Sequence, residues 1–235
     1  MPLNKFIAQC GISSRRKAAD LVKEGKVTVD GVPVTEPATR VTGREEITLE
    51  GKRIRPHAEM VYVLLNKPRG YITSLEDPQG RKTVMELVRG AANTRIYPVG
   101  RLDRNTSGLL LLTNDGELAQ KLAHPSFEAK KVYQVTLDKP LTQEDYRKIL
   151  TGVELEDGLA SVDAMEYLDA KDGRELGLEI HLGRNRIVRR IFEHLGYNVE
   201  KLDRVMYAGL TKKQLPRGTW RLLGEKEVIL LKYFK

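Results

Sequence analysis

The chain has 235 residues, enough for a buried core, and its 40 Lys and Arg against 32 Asp and Glu leave a net charge of +8. Its longest apolar run, the leucines at 109–112, falls far short of the ~20 residues that span a bilayer, and Met1–Lys5 lacks the apolar core of a secretory signal. The single cysteine, Cys10, excludes an internal disulfide and any multi-cysteine zinc site, so the composition describes a cytoplasmic protein with an anionic partner.

Leu3, Phe6, Ile7 and Cys10 have helical spacing, and Gly11 stops that helix. Ser13 or Ser14 caps a second helix, with Ala18, Leu21 and Val22 on its apolar stripe and Gly25 at its end. Val27–Val29 and Val32–Val34 flank Asp30-Gly31, a hairpin signature. Residues 51–60, polar and without periodicity, read as a linker between a small domain at 1–50 and a larger one at 61–235. A buried-strand pattern then runs from Val61 to Leu65 and ends in Asn66-Lys67-Pro68. Further strands are predicted near 108–113, 131–137, 160–168, 176–182 and 199–206, and helices near 83–89, 115–123, 142–150, 186–195 and 225–233. This irregular order predicts an α+β fold whose mixed sheet is mainly antiparallel and flanked by helices.

The charge is unevenly spread. Residues 1–60 carry a net +3, residues 61–180 a net −3 and residues 181–221 a net +7. Two basic zones around a slightly acidic body suit a protein that grips an extended polyanion at two places. In the first zone, Arg15, Arg16 and Lys17 crowd the start of the second helix, where the helix dipole disfavours cations. The capped amides together with these side chains make a ready phosphate site.

The stretch Gly100-Arg101-Leu102-Asp103-Arg104-Asn105-Thr106-Ser107-Gly108 sets a carboxylate between two arginines just before a leucine-rich strand. An acid held ionised on a loop by a rigid strand can serve as nucleophile or base, although an acid that caps a turn and pairs with Arg101 or Arg104 has the same pattern. In 186–195, Val188, Ile191, Phe192 and Leu195 share one helical face, with Arg186, Arg189, Arg190 and Glu193 opposite. An Arg189–Glu193 pair at i,i+4 accounts for one arginine and leaves the others for phosphates or for Asp103.

These segments carry two resemblances. Arg15-Arg16-Lys17-Ala18, Leu21-Val22, Gly25, Val27, Val29 and Asp30-Gly31 are similar to the S4-like (alpha-L) RNA-binding domain, which implies RNA binding and not catalysis. The stretch 100–116 resembles the central motif of bacterial rRNA pseudouridine synthases of the RsuA/RluB type. Asn66-Lys67-Pro68-Arg69-Gly70, Lys131-Val132-Tyr133 and Gly183-Arg184-Asn185-Arg186-Ile187-Val188-Arg189-Arg190 are similar to three more motifs of that family, in the same order. Ile187 departs from the pattern, which often has Gln there.

The resemblance implies an isomerase that detaches uracil from its ribose and rejoins it through carbon. Asp103 is then the essential residue, attacking the sugar or removing its 2′ proton. Arg189 orients Asp103 by a charge-assisted bond, Tyr133 stacks on the uracil and takes part in the later proton transfer, and Arg101 helps open the helix or hold the extruded nucleotide. Lys67, Arg184, Arg186 and Arg190 join Arg15, Arg16 and Lys17 as RNA contacts, and Leu182 and Val188 line the pocket. The Leu215–Trp220 segment is more similar to large-subunit than to small-subunit enzymes, so the expected substrate is a uridine of 23S rRNA. A non-catalytic rRNA-binding or ribosome-assembly factor is the alternative. The chain carries no nucleotide-binding loop or dinucleotide fingerprint, and His57, His124, His181 and His194 lack metal-ligand spacing. No metal, cofactor or membrane partner is expected, the histidines are read as structural or surface residues, and the assembly is read as a monomer.

Overall fold

The computed structural model describes residues 1–56 and 59–233, so His57 lies outside the described residues. The chain divides into two compact units, Met1–Val61 with Ala92–Ile96, and Tyr62–Ala91 with Tyr97–Lys235.

The smaller unit contains α1 (Leu3–Gln9), α2 (Arg15–Lys23), β1 (Val27–Val29), β2 (Val32–Pro33), β3 (Ile47–Leu49) and β4 (Lys52–Arg53). Ser14, not Ser13, caps α2, accepting the Lys17 amide N–H at 3.2 Å. The strands form one antiparallel sheet in the order β2-β1-β3-β4. Asp30 and Gly31 both have positive φ, as the predicted tight hairpin requires. Glu50-Gly51 repeats that geometry, which turns residues 52–54 back onto the unit: β4 pairs with β3, and Ile54 packs on the core built from Leu3, Phe6, Ile7, Val22 and Ile47. Residues 52–54, counted with the linker in the sequence, thus pair and pack with this unit; Glu in a left-handed turn gives a weaker hairpin signal than Asp-Gly. Cys10 belongs to this core, and burial pushes its thiol up to about 12, leaving it unreactive.

The larger unit contains, in chain order, β5 (Tyr62–Lys67), α3 (Val84–Leu87), β6 (Tyr97–Pro98), β7 (Ser107–Thr113), α4 (Gly116–Ala123), β8 (Lys131–Leu137) and α5 (Gln143–Thr151). There follow β9 (Val153–Leu155), β10 (Gly158–Ala160), β11 (Ala164–Tyr167), β12 (Glu175–Ile180), α6 (Ile187–His194), β13 (Val199–Tyr207), β14 (Leu210–Thr211), β15 (Trp220–Leu222) and α7 (Glu225–Tyr233). Local capping explains the helix starts. Thr83 and Glu86 close a capping box on α3, Asp115 accepts two amides of α4, and Thr142 accepts the Asp145 amide on α5.

The main sheet has nine strands, in the order β11-β12-β8-β13-β7-β5-β15, with β14 on β13 and β6 on β7. Among the described residues the β13–β7 contact is parallel and the other pairings are antiparallel. The single predicted strand at 160–168 is two: β10 pairs with β9 in a separate hairpin, and β11 joins the main sheet. The leucines at 109–112 are fully buried because β7 is covered on both faces. One core packs α5 and α6 against β8 and β12, and a second packs α4 and α7 against β5 and β7. Among the described residues no helix is long and apolar enough to cross a membrane.

Candidate active site

A cleft of about 760 Å³ opens in the larger unit where the loop 100–106 leads into β7. Arg101, Arg104, Lys131, Arg184, Arg186 and Arg204 line it, against Asp103 and Glu128, so it favours a polyanion. Leu182 and Val188 line it too.

Asp103 lies half-buried at the cleft, with Arg101 and Arg104 exposed beside it. Two long-range contacts fix its loop. Lys67, at the end of β5, is completely buried, and its ammonium donates to the carbonyls of Asp103 at 3.0 Å, Thr106 at 2.8 Å and Pro68 at 3.2 Å. Burial pushes this ammonium down to about 8, while the nearby Asp103 charge resists the shift. Lys67, expected as an RNA contact, lies buried with its ammonium spent on carbonyls of the Asp103 loop. Beyond the loop, Gly108 has φ +110°, and a Cβ there would come within 2.3 Å of the Arg204 backbone. Only glycine lets β7 and β13 approach this closely.

Arg189 makes the second contact. The sequence puts it on the polar face of α6, paired with Glu193 or, as the resemblance implies, bonded to Asp103. Instead it is 7% exposed and donates to the carbonyls of Val199 at 2.7 Å and Asn105 at 3.4 Å. Burial pulls its guanidinium down from the ordinary arginine range, with the Asp103 charge acting the other way. Its influence on Asp103 therefore runs through charge and through the loop carbonyl two residues on, without a bond between the side chains. Arg186 takes Glu193 at 3.0 Å. Arg184 and Arg190 both hold Asp157, at 3.0 and 2.6 Å, and Arg184 also donates to the carbonyls of Gly158 and Leu159. These two arginines brace the β9–β10 hairpin against the segment 184–190. Ile187, the departure from the family pattern, is buried in the core and lines the cleft.

The cleft also has a floor that the sequence did not reveal. Across β8 and β13, Tyr133 stands opposite Arg204 and Lys131 opposite Tyr207, with a bulge at Val205 that returns Tyr207 to the face of Arg204. All four side chains line the cleft. Arg204 is 3% exposed, donates from Nε to the Leu109 carbonyl at 2.8 Å, and lies 4.4 Å from the Tyr207 ring centroid. Its Nη2 is buried without a partner, as is the hydroxyl of Thr106, another residue of the lining. Nothing in the local pattern of β13 marks Arg204 as buried, because its cover comes from strands distant in sequence.

Arg15, Arg16 and Lys17 lie exposed on the first turn of α2, in the smaller unit. His124 and His181, expected to be structural or surface residues, are cleft-lining; His181 Nδ1 lies 2.6 Å from Asp163, and His194 is exposed. Among the described residues no group of three or more His, Cys, Asp or Glu is arranged to hold a metal.

A cleft of this kind, with an aromatic side chain and one carboxylate inside a cationic wall, can hold a nucleotide and present an acid to it. Comparison with known proteins agrees. The RNA pseudouridylate synthase family model matches residues 61–194, and the S4 domain model matches residues 1–47. The ribosomal large subunit pseudouridine synthase B of Bacillus subtilis is 45% identical, over 96% of this chain and 93% of its own length. An RNA pseudouridine synthase of Aquifex aeolicus is 39% identical, over 97% and 92%. A crystal structure of a pseudouridylate synthase superposes with a TM-score of 0.70 at 29% identity, covering 98% of this chain and 99% of that one. The chain belongs to the RNA pseudouridylate synthase family and bears an S4 domain at its N-terminal end.

Proposed function

We propose that the protein converts a uridine of large-subunit rRNA to pseudouridine, with Asp103 as the group that acts on the ribose. The observation that carries the reading is Asp103 itself, a carboxylate at a cationic cleft whose loop is fixed by two buried cations, Lys67 and Arg189. A protein that only binds RNA gains nothing from such a carboxylate, which repels phosphate. The Bacillus relative's name supports the large-subunit substrate.

The target base must leave its stack to reach the cleft, at a cost of a few kcal/mol that contacts to flanking RNA offset. Tyr133 offers the ring on which the extruded uracil stacks, and Arg101, exposed beside Asp103, holds the nucleotide at the mouth. Asp103 either bonds to the sugar or takes its 2′ proton. Arg186 adds a cation at the cleft edge, and Arg184 and Arg190 reach phosphates only by sharing with Asp157. Arg15, Arg16 and Lys17 supply a second grip, so that the domain at 1–50 binds RNA and the one at 61–235 modifies it, in the cytoplasm. Incubating the purified protein with a large-subunit rRNA transcript and mapping pseudouridine tests this reading; a protein that binds the transcript and leaves every uridine unchanged is a binding factor instead.

A further inference from the structure

Arg204 is a buried guanidinium with no carboxylate partner among the described residues: Nε is spent on a backbone carbonyl, one face meets Tyr207, and Nη2 reaches no protein acceptor. Lys131, on the same sheet face, donates to the His181 carbonyl and brings a second cation to the cleft floor. Burial, and then the Arg204 charge, pushes the Lys131 ammonium down to about 8. Leaving a cation buried and unpaired is costly, so a counter-charge is expected from whatever fills the cleft.

We propose that Arg204 is an electrophilic site for the uracil base, donating hydrogen bonds to a ring carbonyl and stabilising the negative charge the base carries while detached from its ribose. The inference rests on the pseudouridine synthase reading above. When the bond from the sugar to N1 breaks, its electron pair leaves with the base, and the charge spreads over N1 and both carbonyl oxygens. The sugar carbon is balanced by a bond to the Asp103 carboxylate or by loss of the 2′ proton to it. Arg204 transfers no proton; new bonding of C5 to the sugar carbon, as the Asp103 bond breaks or the 2′ proton returns, leaves the ring neutral, and the C5 proton then lost is matched by a proton gained at N1.

Register favours the base over a phosphate as occupant. Tyr133 is the cross-strand neighbour of Arg204, so a uracil stacked on Tyr133 brings its edge to the guanidinium. A planar fork inside the sheet face suits in-plane carbonyl acceptors, whereas phosphates stay near the exposed Arg101, Arg104 and Arg186.

The test compares Arg204→Met and Arg204→Lys in single turnovers on RNA carrying uridine or 5-fluorouridine at the target position. Fluorine withdraws electrons and makes the base a better leaving group, so it needs Arg204 less; with no C5 proton to release, conversion of 5-fluorouridine is read as rearrangement to the C5-linked adduct. Arg204→Met is expected to slow uridine conversion by about 100-fold and 5-fluorouridine conversion by no more than about 10-fold, with Arg204→Lys recovering part of the loss. The Kd for RNA and its salt dependence should not move. Equal losses on the two bases overturn the proposal, and so does a salt slope reduced by about one, which marks a phosphate contact. Should Arg204→Met fail to fold, Arg204→Lys keeps the charge without the fork and must show the same substrate-dependent loss in smaller form; equal losses again overturn the proposal. Wild-type inactivity on uridine removes the underlying reading and this inference with it, whereas an active wild type with an equally active Arg204→Met overturns this inference alone.

Discussion

The Lys67 ammonium donates to the backbone carbonyl of Asp103 at 3.0 Å while itself being wholly buried. Its side chain meets the loop through backbone carbonyls. Lys67→Met should therefore slow pseudouridine formation by about 100-fold, because a small displacement of the acting group has that effect. RNA affinity should stay within about twofold, since a buried ammonium releases no counterions on binding. Titration of RNA alongside single-turnover rates separates the two roles, and a weakened Kd with an unchanged rate contradicts this one.

Arg189 is the second hold on the same loop. Arg189→Met strands the Val199 and Asn105 carbonyls, and an unpaired buried polar group costs about 1–3 kcal/mol. Urea denaturation should register that loss together with a large drop in rate. A rate loss without a stability loss would mean that Arg189 acts on substrate directly.

Gly108→Ala tests the closeness of β7 and β13. The Cβ would meet the Arg204 backbone oxygen and nitrogen at 2.3 and 2.4 Å, in a backbone conformation that alanine rarely adopts. A loss of about 3 kcal/mol or more is expected, from backbone strain and overpacking together. Thermal denaturation would reveal it, and a near-neutral substitution would mean that the strands can part.

Acid sensitivity should centre on Asp203. Burial alone would raise its carboxyl, but hydrogen bonds from Arg217 and Lys212 outweigh that and hold it at about 2. A depressed folded value means that the stabilisation is fully present above the ordinary aspartate range near ~4 and is lost as pH falls toward about 2. Asp203→Asn should cost about 2 kcal/mol at neutral pH and almost nothing near pH 2. Equal costs at both pH values would show that the pairing is not what Asp203 supplies.

Exposed Arg15, Arg16 and Lys17 make the opposite prediction to Lys67. Changing all three to Gln should weaken RNA binding and reduce the slope of log affinity against log salt by about 2–3, with the conversion step of bound RNA unaltered. An unchanged slope would remove the second grip.

What could be read from the residues follows from how local each cause is. The helix starts near 83, 115 and 142 and the cap at Ser13 or Ser14 were legible because a cap acts over three residues. Asp30-Gly31 marks its hairpin for the same reason, and Asp103 stood out because an acid between arginines in a glycine-rich turn is unusual anywhere. The burial of Lys67, Arg189 and Arg204 was not legible. Each is covered by strands or loops distant in sequence, and helical spacing alone put Arg189 on the outer face. The parallel contact that sets Arg204 beside Gly108 joins segments about a hundred residues apart, a pairing no local pattern encodes. Periodicity ranks faces by hydrophobicity, so it misplaces the few cations a site keeps inside.

The account turns on Asp103, and pseudouridine yield from large-subunit rRNA in the wild type and in Asp103→Asn measures it most directly. Asn keeps the size and shape of the side chain and removes its charge. The account expects the wild type to convert a discrete uridine, and Asp103→Asn to bind the same RNA with unchanged affinity and form no pseudouridine. Substantial turnover by Asp103→Asn would contradict it.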